Sequence, residues 1–185
     1  MKSIFTSLIV LICLPLFSQT EGQSFCSEFK NEDYFPLTIE KKKILWQGSY
    51  YFEEIVGTKK INNKEYLEYS QSWKTGNTES LFLREENGVI YQYEKCCDSE
   101  TIRFDSKFKK GKSWKTADKK SKYSVETFKG ELETPYCNYK NLLVIKGEFT
   151  NVTYMFYYKK GYGYIGATDD KNNLISCVSP EWNKE

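Results

Sequence analysis

The sequence contains no histidine. Nucleophilic sites of the Ser-His-Asp and Cys-His types need an imidazole base, so the lack of histidine excludes both classes. There is also no H-E-x-x-H zinc motif and no P-loop. Gly161, Gly163 and Gly166 have the spacing of a dinucleotide-binding loop, but bulky tyrosines separate them and the pattern around them predicts strands. We therefore expect a protein that is not an enzyme and that uses neither a metal ion nor a cofactor.

Paired carboxylates suited to glycoside hydrolysis are also lacking. Acidic residues occur as chain neighbours, at Glu53-Glu54, Glu85-Glu86 and Asp169-Asp170. Neighbours on a strand point to opposite faces, whereas glycoside hydrolysis needs two carboxyl groups that face each other across a cleft. Asp169-Asp170 and the nearby Asn172-Asn173 could offer oxygen ligands to Ca²⁺, but their spacing is not that of a calcium-binding loop. A solvated turn is the preferred interpretation there.

The sequence has little net charge. Its 27 basic and 25 acidic side chains leave a formal charge of +2, which gives no general attraction to nucleic acid. The one strongly charged stretch, a basic patch, surrounds Trp114. It predicts either contact with an anionic lipid or another acidic surface, or a solvated edge whose charges prevent strand-to-strand association. The solvated edge is preferred. The lysines of the basic patch are Lys107, Lys109, Lys110, Lys112, Lys115, Lys119, Lys120 and Lys122.

Long apolar runs are absent after the first twenty residues. The run from Ile4 to Phe17 follows Lys2 and precedes Ser18-Gln19, an arrangement typical of a secretory signal peptide. This run is shorter than the ~20 residues that span a bilayer, so no transmembrane segment is expected. We predict a signal peptide at 1–19, a flexible leader at 20–33 and a single β domain at 34–185. The protein is expected to be exported, to the periplasm or the extracellular space.

Aromatic residues, by contrast, make up 17% of the sequence, and tyrosine is the commonest of them. Between Leu142 and Asp170 the side chains alternate with a period of two, as those of half-buried β-strands do. Similar short segments, separated by turn signals, extend over the mature chain, and no window has the pattern of an amphipathic helix. The predicted fold is all-β, an antiparallel meander of about ten strands curled into a half-barrel or open barrel.

The clearest predicted hairpin centres on Asn87-Gly88, a pair that favours the type I′ turn whose twist matches that of the strands. In that register Phe82 lies opposite Tyr93, and Arg84 lies opposite Tyr91. The hairpin therefore predicts an aromatic pair and a cation–π pair across the ladder.

Glycines also mark the strand that follows Tyr158. Gly161, Gly163 and Ile165 are predicted to share one of its faces, with Tyr162 on the other. Two glycines leave part of a face bare, so that another backbone, an aromatic ring or a ligand can approach closely. A bend or bulge under tight packing is the preferred interpretation, and a floor that faces a ligand is the alternative.

Five cysteines follow the signal peptide, and in an exported protein they are first of all disulfide candidates. An odd number leaves at least one unpaired, and the spacing does not fix the pairing. Cys96 and Cys97 would face opposite sides of a strand, so only one of them could meet a given partner. We expect Cys137 to bond to one of these two. A free thiol is the alternative, and the spacing disfavours a zinc site. The candidates are Cys26, Cys96, Cys97, Cys137 and Cys177.

Three short motifs are Tyr34-Phe35-Pro36-Leu37 followed by Trp46, the stretch from Glu133 to Tyr139, and Tyr157-Tyr158-x-x-Gly161-x-Gly163-x-Ile165. Together they resemble a largely uncharacterised group of exported bacterial β-proteins that includes the TapB-like proteins of the bacterial envelope. The group usually has glycine where this chain has Cys137, and Ala-Lys where it has Lys159-Lys160. The resemblance implies a half-barrel, similar in outline to periplasmic lipoprotein carriers, and it implies no catalytic residues. The Phe-Ser-Gln end of the signal peptide resembles that of a Bacteroidetes-type bacterium, which implies a periplasmic or extracellular protein.

Two hypotheses about function follow. In the first, the domain binds an apolar or amphipathic ligand, such as a lipid, on the concave aromatic face of its curled sheet. In the second, the aromatic side chains fill a packed core, and the domain is a structural or protein-interaction module whose partner is an envelope protein. An open interior would favour the first hypothesis and a filled interior the second. The candidate ligand-binding residues are Tyr91, Tyr93, Tyr154, Phe156, Tyr158, Tyr162 and Tyr164.

Overall fold

Short strands follow one another closely along the chain. The computed structural model describes Cys26 and residues 33–180, and this part of the chain contains twelve strands and no α-helix. The strands are β1 Lys41–Trp46, β2 Ser49–Ile61, β3 Lys64–Trp73, β4 Thr78–Glu86, β5 Val89–Glu94, β6 Ser99–Asp105, β7 Ser113–Lys115, β8 Lys122–Glu133, β9 Asn138–Glu148, β10 Thr153–Lys159, β11 Gly163–Asp169 and β12 Leu174–Ser179.

All twelve strands belong to one antiparallel sheet. Each strand pairs with the next in the chain except at the step from β6 to β7, and β1 also pairs with β12. β6 and β7 are therefore the two ends of the sheet, which curls into a nearly closed barrel. The predicted all-β antiparallel meander is confirmed. The sequence did not predict β1 as a separate strand because three successive lysines open it, yet Lys42 and Lys43 are buried.

Tight turns with positive φ angles set the register of several hairpins. Asn62-Asn63 and Asn87-Gly88 both have positive φ at their two central residues, as a type I′ turn requires. At the second turn Arg84 pairs with Tyr91, and its guanidinium carbon lies 4.3 Å from the centre of the tyrosine ring. The predicted hairpin and its cation–π pair are thus confirmed.

Side chains hold the two ends of the sheet together. The indole N–H of Trp114 in β7 donates to the carbonyl oxygen of Ile102 in β6 at 2.7 Å. The amide of Ala117 donates to the hydroxyl oxygen of Thr101 at 2.9 Å. Apolar side chains from both ends also share one core, which includes buried Phe104. These contacts close the barrel where the ladder of backbone hydrogen bonds is interrupted.

An irregular segment, residues 33–40, packs inside one end of the barrel. The ring of Phe35 stacks between those of Phe104 and Tyr158, with centroids 5.2 and 4.3 Å away. The carbonyl oxygen of Asp33 accepts a hydrogen bond from the amide of Gly161 at 2.7 Å. The segment therefore narrows the barrel interior and attaches to the turn before β11.

The glycines near the start of β11 leave room for this segment. Gly161 lies in the turn before the strand rather than on a strand face, and Gly163 is the first residue of the strand. A Cβ atom at Gly163 would lie 3.2 Å from Nζ of Lys42 and 3.6 Å from a ring carbon of Pro36. Close packing by the chain itself, which was the preferred interpretation of the sequence, accounts for Gly163, whereas Gly161 has the positive φ angle of a turn residue, 73°.

The disulfide differs from the predicted one. Cys137 is bonded to Cys26, with Cα atoms 5.6 Å apart, and the predicted bond to Cys96 or Cys97 is wrong. Cys96 and Cys97 lie exposed in the turn between β5 and β6, whereas Cys137 immediately precedes β9. The predicted leader is thus covalently attached to the barrel at Cys26. The predicted signal peptide and most of the predicted leader lie outside the described residues.

Candidate binding site

A cavity of about 170 Å³ lies inside the barrel. Its walls come from strands β1 to β4, β6, β10 and β11, and from the segment 33–40. Polar groups are contributed by Lys42, Glu53, Gln71 and Arg103, and aliphatic groups by Leu81 and Leu83. The aromatic groups of the lining, apart from Phe35, are Trp46, Tyr51, Tyr69, Phe156, Tyr158 and Tyr164.

The strand registers explain why these residues face one another. Cross-strand partners in an antiparallel ladder share a face of the sheet. Glu53 pairs with Gln71, and Tyr69 pairs with Leu81, so these four side chains form one patch of the inner wall. Every second side chain of a β-strand lies on the same face, and each of these residues has another cavity-lining residue two positions away on its own strand.

Three of the predicted ligand-binding residues line the cavity, namely Phe156, Tyr158 and Tyr164. Tyr154 lies at its margin, where its ring meets the ring of Trp46 edge to face at a centroid distance of 5.9 Å. Tyr162 is buried but does not line the cavity. The structure thus brings four of the seven predicted residues to the barrel interior or its rim.

Tyr91 and Tyr93 lie on the other side of the sheet. Leu83 lines the cavity and the next residue, Arg84, points to the opposite face, where it pairs with Tyr91. Tyr93 contacts Phe82 on that outer face, at a ring distance of 6.4 Å. The expectation that both tyrosines belong to the concave face is corrected, because the hairpin register that the sequence predicted places them outside.

On the outer face these tyrosines contact Arg84 and Tyr66, two members of a hydrogen-bonded network around Glu100. Its carboxylate accepts hydrogen bonds from Tyr66 at 2.7 Å, from Lys64 at 2.6 Å and from Arg84 at 3.0 Å. Burial alone would raise the pKa of Glu100, but the bonds from Arg84, Lys64 and Tyr66 lower it to about 2. We call these four residues the outer network.

Arg103 reaches the cavity because of an irregularity in β6. Ile90 pairs with Phe104 and Tyr91 pairs with Ile102, so Arg103 is the extra residue of a β-bulge. Bulges redirect side chains, and this one turns a guanidinium group toward the interior. Burial lowers the pKa of Arg103, but Tyr123, Tyr158 and Glu94 more than compensate, so the net shift is upward and the side chain stays charged.

Lys42 is a buried cation at the edge of the same cavity. Its amino group donates to the carbonyl oxygen of Tyr162 at 2.8 Å and to that of Tyr164 at 3.4 Å. Burial lowers the pKa of Lys42 from 10.5 to about 8, while attraction to Glu53 opposes the shift. Glu53 itself accepts a hydrogen bond from the side-chain amide of Gln71 at 2.8 Å.

The tyrosines of the cavity are neutral hydrogen-bonding groups. Burial raises the pKa of Tyr158 to about 12, although the nearby charge of Arg103 acts in the other direction. Burial also raises the pKa of Tyr164, whose hydroxyl donates to the hydroxyl oxygen of Ser176 at 2.8 Å. The interior therefore combines aromatic surface with a few polar groups, which is the usual composition of a small-molecule site.

Sequence reasoning missed Lys42, Glu53 and Arg103. Lys42 is one of three successive lysines and Glu53 one of two successive glutamates, so alternation could have placed one member of each on the inner face. The same reasoning does not apply to Arg103, because the bulge interrupts the alternation of inner and outer side chains along β6. Only the folded register identifies it.

The basic patch lies at one end of the sheet, on β7 and on the loops and strand start beside it. Its lysines are exposed. Lys122 forms an ion pair with Glu148 at 3.2 Å. Lys107, Lys109 and Lys112 surround a shallow groove in which the ring of Phe108 packs on Trp114. This position at a terminal strand agrees with a solvated edge, and both interpretations of the patch stay predictions.

Three thiols in the described part of the chain are free. Cys96 and Cys97 are exposed neighbours, and a hydrogen bond with Cys96 raises the pKa of Cys97 to about 11. Cys177 is buried in β12, and burial raises its pKa to about 11. Thiols with a raised pKa are weak nucleophiles at neutral pH, so neither Cys97 nor Cys177 is an activated cysteine.

Comparison with known proteins adds little to this geometry. No family model and no curated protein matches the chain. Among solved structures, the chain is similar to a candidate lipoprotein from Parabacteroides distasonis ATCC 8503, with 11% identity and a TM-score of 0.40 over 81% of this chain and 97% of that one. It is also similar to a candidate exported protein with a YmcC-like fold from Bacteroides fragilis NCTC 9343, with 9% identity and a TM-score of 0.39 over 75% and 91% of the two chains. Likenesses of this size carry no argument about function.

Within the described residues, no helix is long and apolar enough to cross a membrane.

Proposed function

We propose that the protein is an exported, non-enzymatic binding domain that holds a small amphipathic ligand inside its barrel. The observation that supports this most directly is the cavity, whose aromatic and aliphatic walls also carry a few polar groups. The bond between Cys26 and Cys137 is consistent with a location outside the cytoplasm, where disulfides persist.

The size of the cavity limits the ligand. Sites for drug-sized molecules typically occupy roughly 300–1,000 Å³, and an engineered apolar cavity of about 150 Å³ binds benzene. At about 170 Å³, the present cavity suits a single aromatic ring or a short acyl chain rather than a whole phospholipid. The ligand that we propose is therefore smaller than the lipid expected from the sequence.

A structural or protein-interaction module is the second candidate function. It is favoured by the position of Phe35, whose ring already occupies the space between Phe104 and Tyr158. In that account the segment 33–40 completes the core, and the cavity is a leftover packing space that contains only water.

Native mass spectrometry of the exported, unreduced protein tests the proposal. We expect a co-purifying small mass that mild organic extraction removes. Leu83→Trp, which fills the cavity, should abolish that mass, whereas Leu174→Trp on the partly exposed side of β12 should retain it. A bare protein mass that stays bare after incubation with short-chain amphipaths would favour the structural module.

A further inference from the structure

We propose that the ligand is a monocarboxylate with a small apolar body, and that Arg103 binds its carboxylate. This inference rests on the proposed function and assigns the chemical class of the ligand. It starts from Arg103, a cation that lines a largely aromatic cavity. The groups in direct contact with its side chain are aromatic rings and a hydroxyl group, and Glu94 attracts it without forming an ion pair.

Arg103 is held in place without forming an ion pair. Its guanidinium carbon lies 5.8 Å from the centre of the Tyr123 ring, and its side chain is hydrogen-bonded to Tyr158. In the described part of the chain, no carboxylate forms an ion pair with it. Arg84, on the outer face, pairs with both Glu86 and Glu100. Glu94 attracts the guanidinium group of Arg103 but forms no ion pair with it, and the side chain is half-buried. A partly desolvated cation that contacts no carboxylate is unfavourable, so Arg103 can accommodate the carboxylate of a ligand.

The other charged groups of the lining balance each other. Lys42 is attracted to Glu53 and is bonded to two backbone carbonyl oxygens, while Glu53 is bonded to Gln71. When Lys42 is protonated, the lining therefore has one positive charge in excess, which Arg103 supplies. One excess charge matches a monoanion, and the carboxylate of Glu53 disfavours a doubly charged phosphate.

The geometry of a guanidinium group also selects a carboxylate. Arginine offers parallel N–H donors that match the two oxygens of a carboxylate, and such paired charge-assisted hydrogen bonds are among the strongest in proteins. Leu81, Leu83 and Phe156 supply apolar surface in the same cavity for the remainder of the ligand. An aromatic acid and a short fatty acid share this chemistry, so the experiment includes both.

Isothermal titration calorimetry with matched ligand pairs tests the inference on the mature, disulfide-bonded protein. The pairs are benzoate with benzamide and octanoate with octanol. We expect at least one carboxylate to bind about tenfold or more tightly than its neutral partner, as hydrogen bonds to a charged group predict. Arg103→Gln should reduce carboxylate affinity to that of the neutral partner and leave the neutral partner unchanged.

Two further variants separate recognition from folding. Arg103→Lys keeps the charge but loses the paired donors, so we expect it to retain only part of the carboxylate preference. Arg84→Gln changes the only other arginine of the sequence, which belongs to the outer network, and should keep the full preference. Thermal unfolding of each variant establishes that the barrel is intact.

The outcomes distinguish the inference from the proposed function. Equal affinity for benzoate and benzamide, and for octanoate and octanol, would overturn the carboxylate inference and leave the binding function standing. A preference that survives in Arg103→Gln would overturn the role of Arg103. Absence of binding by all four ligands at millimolar concentration would overturn the inference together with the proposed function.

Discussion

Lys42 is the residue whose burial has the clearest consequence for stability. The folded protein releases its proton near pH 8, whereas an unfolded chain holds that proton up to about pH 10.5. Between these two values the unfolded state binds more protons than the folded state, so the contribution of Lys42 to the free energy of unfolding rises with pH. Below pH 8 both states are protonated, and the buried charge lowers stability.

Lys42→Met should remove this rise. Relative to the variant, the wild-type protein should gain up to about 1.4 kcal/mol of unfolding free energy per pH unit between pH 8 and 10. Urea denaturation of both proteins at several pH values measures the difference. The thiols of Cys97 and Cys177, whose pKa values are raised, lower the free energy of unfolding as the pH rises through this range. Both proteins contain these thiols, so their effect cancels in the difference. Parallel pH profiles would show that Lys42 is solvated in the folded protein.

At the scale of elements, the outer network joins β3, β4 and β6. Glu100 connects Lys64 and Tyr66 of β3 to Arg84 of β4, so one carboxylate holds three strands in register on the outer face. Because its folded pKa lies near 2, it stabilises the folded state fully above pH 4.5, and this contribution is lost as the pH falls toward 2.

Glu100→Gln should therefore lower the free energy of unfolding by roughly 1–3 kcal/mol at pH 7. The difference from wild type should shrink between pH 4.5 and 2, as the wild-type carboxylate becomes protonated. Glu85→Gln, an exposed change on β4, should have an effect within about 0.5 kcal/mol. Denaturation curves at pH 7 and pH 3 provide the measurement, and an equal deficit at both would contradict an electrostatic role.

The elements also show how far the sequence predicts this fold. The hairpin at Asn87-Gly88 was predictable because its turn chemistry is local. The bulge at Arg103 was not, since it depends on how β6 meets the rest of the closing sheet. The burial of Lys42 and Lys43 was not predictable either, because three successive lysines are typical of a solvated segment, whereas the barrel buries two of them.

At the scale of the whole molecule, the disulfide attaches the beginning of the described chain to the region before β9. Cys26 and Cys137 are separated by 111 residues. A bond that closes a long loop restricts the unfolded chain strongly and typically stabilises a protein by about 2–4 kcal/mol. Its pairing could not be predicted, because the polar sequence around Cys26 has no strand pattern that would place it beside Cys137.

Cys26→Ser should thus lower the unfolding temperature under oxidising conditions, with a loss of roughly 2–4 kcal/mol in the free energy of unfolding. Cys96→Ser should change it by less than about 0.5 kcal/mol, because Cys96 is exposed and unbonded. Differential scanning calorimetry with and without reductant measures both variants. Equal stability of Cys26→Ser and the oxidised wild type would contradict a structural role for the bond.

The cavity was only partly predictable at this scale. Phe156 and Tyr158 alternate along β10 and were correctly assigned to the concave side. The size of the cavity depends on the segment 33–40, whose ring at Phe35 occupies part of the interior. Nothing in the local pattern of that segment indicates that it enters the barrel.

The most direct test of the central claim is an NMR titration of the isotopically labelled protein with octanoate and with octanol. We expect the largest changes in backbone amide shifts at cavity positions such as Gln71, Leu83 and Tyr158, with small changes at Tyr91 and Tyr93 on the outer face. Shifts that are largest in the outer network or the basic patch, or an absence of shifts at millimolar ligand, would contradict a binding site inside the barrel.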